Sequence, residues 1–331
     1  MSVQLESLRR ILIIRLSSLG DILLTTPLIR TIKNRFPKIE IDFLLKSEYQ
    51  DVLKNNPHLN KIFLYSNNYN NAVVEEIENS NNPKYDLIID LQNNIRSRRI
   101  TSKLKIRTVR FKKYTFRKFI LVQTKINLMK NLPLIPERYA KTIGIDLDKS
   151  GVEIFSDKIP SDKISGLNKI VGICPGAKHF TKRYPIEYQI QLCKQLVENN
   201  FNVVLFGGKI DEGICSEISS KVPEVINLQN NDDILQTVSD MKMCDIIICN
   251  DSGLMHVASS LDKKLIAIFG STVKEFGFMP YNCSNSIIVE NENLGCRPCS
   301  HIGRRSCPKT HFNCMKKIKP EDIIKLIQEI S

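Results

Sequence analysis

The run Asp245-Ile-Ile-Ile-Cys249 passes directly into Asn250-Asp251-Ser252-Gly253-Leu254-Met255-His256, and the reading of this passage decides the fold class. Asp245 to Cys249 has the length and apolar content of a buried strand, and Leu254 to Leu261 that of a small-residue helix opening at Ser252-Gly253. A strand that ends on a helix N-terminus offers free N–H groups and the positive end of a helix dipole, and Gly253 lets an anion approach the backbone. Ser252 can donate a further hydrogen bond, His256 lies one turn later on the same face, and Asp251 can accept from a ribose or sugar hydroxyl. The same residues also suit an ordinary helix cap, with His256 a satisfied side chain, so the segment alone leaves both uses open.

The surrounding chain repeats the strand-to-helix pattern. Ile11 to Ile14, Ile41 to Leu45, Lys61 to Leu64 and Leu87 to Asp90 read as strands in the first half, with Asp21 to Arg35 a helix. In the second half the strands are Ile170 to Ile173, Val203 to Phe206, Ile246 to Cys249 and Leu265 to Phe269. Helices are expected near Tyr188 to Asn199, Asp211 to Ser219, Ile234 to Met241 and Pro320 to Ile330. Alternation of this kind predicts α/β structure with two doubly wound parallel sheets. Gly151 to Asn168, rich in Ser, Asp, Lys, Gly and Pro, marks the boundary, giving domains 1–155 and 156–331. Neither half carries G-x-G-x-x-G after its first strand, which disfavours a dinucleotide-dependent dehydrogenase.

The chain of 331 residues contains no apolar run of membrane-spanning length. Arg15 cuts short the apolar run near the N-terminus, so no signal peptide is read there. Cysteines scattered through expected strands and helices, among them Cys174, Cys193, Cys244 and Cys249, suit a reducing cytoplasm. The net charge of +13 is uneven: residues 1–150 hold 27 Lys/Arg against 14 Asp/Glu, whereas the remainder balances at 21 each. The densest block runs from Arg96 to Lys118, and no acid occurs between Leu91 and Pro136. Such a block serves as a solvated face, a nucleic-acid footprint or a surface for anionic lipid headgroups, and charge alone does not choose.

Two further loops follow the first strand of each half. Ser17-Ser18-Leu19-Gly20-Asp21 places a carboxylate at a strand's carboxyl end, where it can take a proton from an attacking hydroxyl or can cap the following helix. Cys174-Pro175-Gly176-Ala177 turns tightly, and Thr181, Lys182 and Arg183 then supply a hydroxyl and cations suited to a diphosphate, or to a solvated basic loop. A third strand-end loop, Gly207-Gly208-Lys209-Ile210-Asp211-Glu212, offers Asp211 or Glu212 to a ribose hydroxyl. Cys296-x2-Cys299-x7-Cys307-x6-Cys314, with His301 and His311 nearby, has the count for a structural zinc site, although its second pair lacks zinc-like spacing. The alternative is a set of buried cysteines in an irregular loop.

Three of these motifs, in register, resemble glycosyltransferase family 9, the ADP-heptose:lipopolysaccharide heptosyltransferases: Arg15-x-Ser17-Ser18-Leu19-Gly20-Asp21, Pro175-Gly176-Ala177 with Thr181-Lys182-Arg183-Tyr184-Pro185, and Asn250-Asp251-Ser252-Gly253-x-x-His256. The likeness extends to Asp86 through Arg96, to Phe269-Gly270-Ser271-Thr272, and to the tail from Cys296 to Met315. The resemblance implies the GT-B architecture of two Rossmann-like domains facing a cleft, acceptor on the first and nucleotide sugar on the second. It implies Asp21 as general base and Lys182 as the cation that stabilises departing ADP. It further implies a donor site lined by Gly176, Thr181, Asp211, Glu212, Asp251, Ser252, Gly253 and His256, and an acceptor side including Ser17, Ser18, Gly20, Asn94 and Arg96. The reaction so implied is an inverting, metal-independent transfer of heptose from ADP-heptose to a lipopolysaccharide core acceptor, at the cytoplasmic face of the inner membrane. Tyr184 stands where the family commonly has tryptophan, and the chain has none. The alternatives are a relative using another sugar nucleotide or acceptor, or a nucleic-acid-binding protein in which Phe111, Tyr114, Phe116 and Phe119 stack on bases. The last leaves Asp21, Lys182 and Asp251 without a task.

Overall fold

Short apolar runs without period-two alternation are buried on both faces, and here they build two parallel sheets covered by helices. The computed structural model describes residues 3–66, 70–80 and 82–330. The chain divides into two units, one of Met1–Tyr114 and Pro133–Phe155, the other of Thr115–Leu132 and Ser156–Ser331.

In the first unit, β1 (Arg10–Ile14), β2 (Glu40–Lys46), β3 (Lys61–Tyr65), β4 (Leu87–Asp90) and β5 (Thr108–Arg110) pair in parallel in the order β3-β2-β1-β4-β5. Along this part of the chain run α1 (Leu19–Leu23), α2 (Thr26–Arg35), α3 (Asn70–Asn79), α4 (Ile95–Leu104), α5 (Thr115–Thr124), which belongs to the second unit, and α6 (Ile135–Ala140). The single helix expected from Asp21 to Arg35 is two helices. Thr25 caps the second and Pro27 occupies its first turn, where a missing N–H costs nothing. Leu12, Ile14, Leu44, Phe63, Ile77 and Ile88 form a core with no solvent exposure.

In the second unit, β6 (Ile170–Cys174), β7 (Asn202–Leu205), β8 (Ile226–Asn227), β9 (Ile246–Asn250), β10 (Lys264–Phe269) and β11 (Ser286–Glu290) take the order β11-β10-β9-β6-β7-β8, again all parallel. The helices are α7 (Ile186–Glu198), α8 (Glu212–Lys221), α9 (Ile234–Met241), α10 (Gly253–Ser259), α11 (Asn313–Lys316) and α12 (Pro320–Ile330). Ile323 and Ile327, one helical turn apart on α12, are fully buried in the core shared with Leu192 and Leu196 of α7. Truncating either to Ala removes roughly 2–5 kcal/mol.

The division expected between residues 155 and 156 omits one excursion. Residues 115–132 join the second unit because Leu121 and Met129 bury against Phe276. Their four cations, Arg117, Lys118, Lys125 and Lys130, therefore leave the first unit, and the positive excess is shared between the units. Among the described residues no helix is long and apolar enough to cross a membrane.

Candidate active site

The strand order reverses between β1 and β4 in the first sheet and between β6 and β9 in the second. At such a switch point the loops leave in opposite directions and open a crevice at the carboxyl ends of the strands. Asp21, Asn94, Lys182 and Asp251 lie in or beside these loops, whereas Asp211 and Glu212 follow β7 and the four clustered cysteines follow β11.

In the first unit the loop after β1 is stitched to the loop after β4. Leu16 N and Ser17 N donate to Gln92 Oε1 at 2.9 and 3.3 Å, and the Arg15 guanidinium donates to Leu91 O at 2.9 Å. Arg15 also reaches Asp21, its NH2 2.5 Å from Asp21 Oδ1. Asp21 Oδ2 accepts from Ser18 N at 3.2 Å and from Ser18 Oγ at 2.8 Å. The cap role and the exposed-carboxylate role thus coexist: one oxygen closes the first turn of α1, while the side chain keeps 19% of its surface open. Burial pushes the Asp21 carboxyl upward, but Arg15 and Ser18 outweigh it and hold the group below the usual carboxylate range. Arg15 itself is buried beneath the Tyr139 ring, 5.8 Å from its centroid.

Beside this lies Asp90, fully buried at the end of β4. It accepts from Asn93 N at 2.7 Å and Ser97 Oγ at 2.9 Å, yet burial prevails and raises its carboxyl above the usual value. Asn93 adopts a left-handed conformation, φ 40°, and accepts from Arg98 Nε at 3.0 Å. Burial first, then the charge of Arg15, depresses the Lys113 ammonium. Of the expected acceptor residues, Ser18 is exposed and engaged with Asp21, Ser17 is partly buried, and Gly20 is buried. Asn94 caps α4, its side chain accepting from Ser97 N at 3.0 Å, and Arg96 is exposed on the first turn of that helix. Sequence reading gave no individual role to Asp90, Gln92 or Lys113, although the first two lie in the Asp86 to Arg96 stretch and the third in the basic block, because nothing in those stretches says which side chains turn toward the loop after β1.

In the second unit Asn250, the last residue of β9, locks the two switch-point loops together. Its amide accepts from Tyr184 N at 3.0 Å and donates to Pro175 O at 2.8 Å. This holds the 177–184 loop so that Lys182 Nζ lies 2.7 Å from Asp251 Oδ2. Thr272 Oγ1, from the loop after β10, donates to the same oxygen at 2.5 Å. Asp251 is buried, its side chain 6% exposed, whereas that of Lys182 keeps 17%. Arg297 backs this group, its NH2 2.6 Å from both Thr272 O and Glu290 Oε2. Ser252 caps α10 without a side-chain bond, and its Oγ is buried with no hydrogen-bond partner among the described residues. A buried hydroxyl in that state is poised for a ligand acceptor.

The remaining donor-side residues divide. Asp211 is buried against Gly176, where an added Cβ would stand 1.8 Å from Asp211 Oδ1, so any larger residue there would force the Asp211 carboxylate to move. Burial raises the Asp211 carboxyl, and Gly208 N donates to it at 3.2 Å. Glu212 is exposed at the start of α8. Two residues lie deeper than expected. Thr181 is buried, its Oγ1 accepting from Arg304 N at 2.8 Å and from Ser271 Oγ at 2.9 Å, and so braces the loop that carries Lys182. His256 is buried on α10 and is no surface residue; Met255 and Val257 flank it in the core. Tyr184 is likewise internal, its hydroxyl donating to Ile318 O at 2.9 Å.

Cys296, Cys299, Cys307 and Cys314 are free thiols that line, with His311, a cavity of about 20 Å³. Among the described residues, no three His, Cys, Asp or Glu side chains are grouped as a metal-ion site. A larger cavity of about 560 Å³ lies along the edge strand β11, lined by Lys274, Glu290, Glu292 and Lys317, and includes none of Lys182, Asp251 or Ser252.

Comparison with known proteins places these loops in context. The family model for glycosyltransferase family 9 (heptosyltransferase) matches residues 77–309. The lipooligosaccharide heptosyltransferase 2 of Campylobacter jejuni serotype O:6 is 33% identical over 168 residues, covering 49% of this chain; the chain spans about half of that relative's length, 52%. The lipooligosaccharide heptosyltransferase 2 of Haemophilus influenzae is 27% identical over 297 residues, 80% of this chain and 84% of that one. Among solved structures, the ADP-heptose lipopolysaccharide heptosyltransferase II of Escherichia coli superposes with a TM-score of 0.73 at 22% identity, covering 97% of this chain and all of that chain.

Proposed function

The chain belongs to glycosyltransferase family 9, and from that membership we propose that it transfers a heptose from ADP-heptose to the inner core of lipopolysaccharide or a related lipid-linked acceptor. The observation that carries this reading is the Lys182–Asp251–Thr272 group at the switch point of the second sheet, with the unpartnered Ser252 hydroxyl beside it. A nucleotide diphosphate needs a cation that is held but not consumed, and Lys182 meets this: one buried carboxylate orients it and part of its surface stays open. As the anomeric bond breaks, negative charge grows on the departing ADP. Lys182 and the N–H groups at the start of α10 receive it, which lowers the barrier because these groups need not reorganise.

Asp21 is the base of the proposed reaction. It lies before the stretch matched by the family model, and its assignment rests on its own geometry: a partly open carboxylate at a strand end, kept ionised by Arg15. One carboxylate oxygen takes the proton of the attacking acceptor hydroxyl as the hydroxyl oxygen bonds to the anomeric carbon from the face opposite ADP and the bond to ADP breaks, so configuration inverts. The acceptor side includes Ser17, Ser18, Gly20, Asn94 and Arg96. The acceptor's lipid end sits at the inner leaflet of the cytoplasmic membrane, and the cations of the Arg96 to Lys118 stretch favour that anionic surface.

The test is donor turnover by purified protein with ADP-heptose and truncated, detergent-solubilised lipopolysaccharide, beside Asp21→Ala and Lys182→Ala. Heptose transfer by the unaltered protein is expected, with both variants severely impaired. Wild-type-like transfer by Asp21→Ala removes the assigned base, and release of another sugar from a donor panel reassigns the substrate.

A further inference from the structure

Helix α5 and the turn after it carry apolar side chains on two faces, and only one of them is used. Leu121 and Met129 are buried against Phe276 in a small cluster. On the other face, Phe116 is 73% exposed and Phe119 59%, spaced i and i+3, and beyond the helix Ile126 is 59% and Leu128 46% exposed. Large apolar groups standing together in solvent mark an interaction surface.

The charges around these groups say what kind of surface. Residues 115–132 contain Arg117, Lys118, Lys125 and Lys130 and no acid, within a stretch free of Asp and Glu from Leu91 to Pro136. Arg117, Lys125 and Lys130 are exposed. A protein partner of ordinary composition would present both signs of charge, whereas an anionic bilayer presents phosphates above an apolar layer. Exposed phenylalanines among cations, with no acids, match that layering: the rings enter at the acyl boundary and the cations stay at the phosphates.

We propose that α5 and residues 126–128 are the footing by which this protein sits on an anionic lipid surface. The inference rests on the membrane-surface part of the proposed function and is independent of which sugar is transferred. It also moves the contact from the basic block alone to a segment packed on the second unit.

The absence of tryptophan from the chain supplies a clean probe. Full-length Phe119→Trp is mixed with vesicles of phosphatidylglycerol and phosphatidylcholine, some carrying bromine on the acyl chains, beside Ile159→Trp, whose parent residue is 82% exposed in the second unit. Emission from Trp at 119 is expected to shift to the blue and to be quenched by brominated chains, while Trp at 159 does neither. In co-sedimentation, Phe116→Ser/Phe119→Ser should bind roughly tenfold more weakly or worse, and Arg117→Gln/Lys130→Gln should lose several-fold. Unchanged thermal melts show that these exposed positions leave folding intact. Three results overturn the footing: no quenching at 119, equal binding by the serine variant, or equal binding to pure phosphatidylcholine. A concentration-dependent dimer in vesicle-free solution that the serine variant abolishes reassigns the face to a second copy. Transfer to detergent-solubilised acceptor, measured separately, tells a failed footing from a failed enzymatic reading.

Discussion

The switch-point loops of the two units share a plan and reverse its sign. In each, a partly open charged group is held by a buried group of opposite charge: Asp21 by Arg15 at 2.5 Å in the first unit, Lys182 by Asp251 at 2.7 Å in the second. Both holders are fixed from behind, Arg15 through Leu91 O and the Tyr139 ring, Asp251 through Thr272. The first unit therefore presents an anion able to accept a proton, and the second a cation able to receive an anionic leaving group. The common layout belongs to doubly wound sheets; the chemistry is set by which member of each pair faces outward. A buried ion pair adds little to stability once desolvation is counted, so these pairs are better understood as orientation devices.

That comparison can be broken at four points. Asp21→Asn, which keeps the shape and removes the base, should lower kcat about 10²–10⁴-fold, and an unaltered kcat would show that the proton leaves by another route. Lys182→Met should lower kcat roughly 10²–10³-fold, the usual effect of losing one preorganised group at a site of growing negative charge, and isothermal titration with ADP should show weakened binding. Arg15→Met tests the holder. Because Arg15 keeps the Asp21 carboxyl below its ordinary range, the wild-type acid limb of kcat/KM should lie below the usual carboxylate value, and the variant's limb should move to higher pH. An acid limb that stays in place would separate Asp21 from catalysis. Thr272→Val should have the smallest effect, a few-fold in kcat for about 1 kcal/mol of lost hydrogen bonding, and a larger loss would mean that Thr272 itself touches the donor.

Much of this architecture was legible because local pattern and global placement agreed. The short Val/Ile/Leu runs are strands that lie in parallel sheets, and Ile234–Met241 and Pro320–Ile330 begin and end where their caps and periodicity direct. The strands β5, β8 and β11 escaped notice: Thr108-Val-Arg110 is embedded in cations, β8 is two residues long, and β11, although it carries Ile-Ile-Val, is a half-buried edge strand. The site was legible as motifs and opaque as geometry. Asp21, Lys182 and Asp251 stand out by their position after strands, but the Lys182–Asp251 pairing joins two loops that only the β6–β9 adjacency brings together, and the Arg15–Asp21 pairing depends on how the single β1–α1 loop folds back on itself. Burial was the hardest to foresee. Thr181 and His256 look like ligand contacts in the sequence and lie inside, because the spacing of a loop or a short helix does not say which face the rest of the fold will cover.

The excursion of residues 115–132 also bears on how such a protein can be cut and recombined. A gene fragment encoding only residues 156–331 would lack Leu121 and Met129, strip Phe276 of its two buried partners, and drop the Lys125 contact with Pro298 O. The two units are therefore interleaved in the genetic text. Recombination that exchanged the second unit between relatives would need to carry a distant helix along with the second half, and crossovers placed solely near residue 155 would pair α5 with a foreign bed.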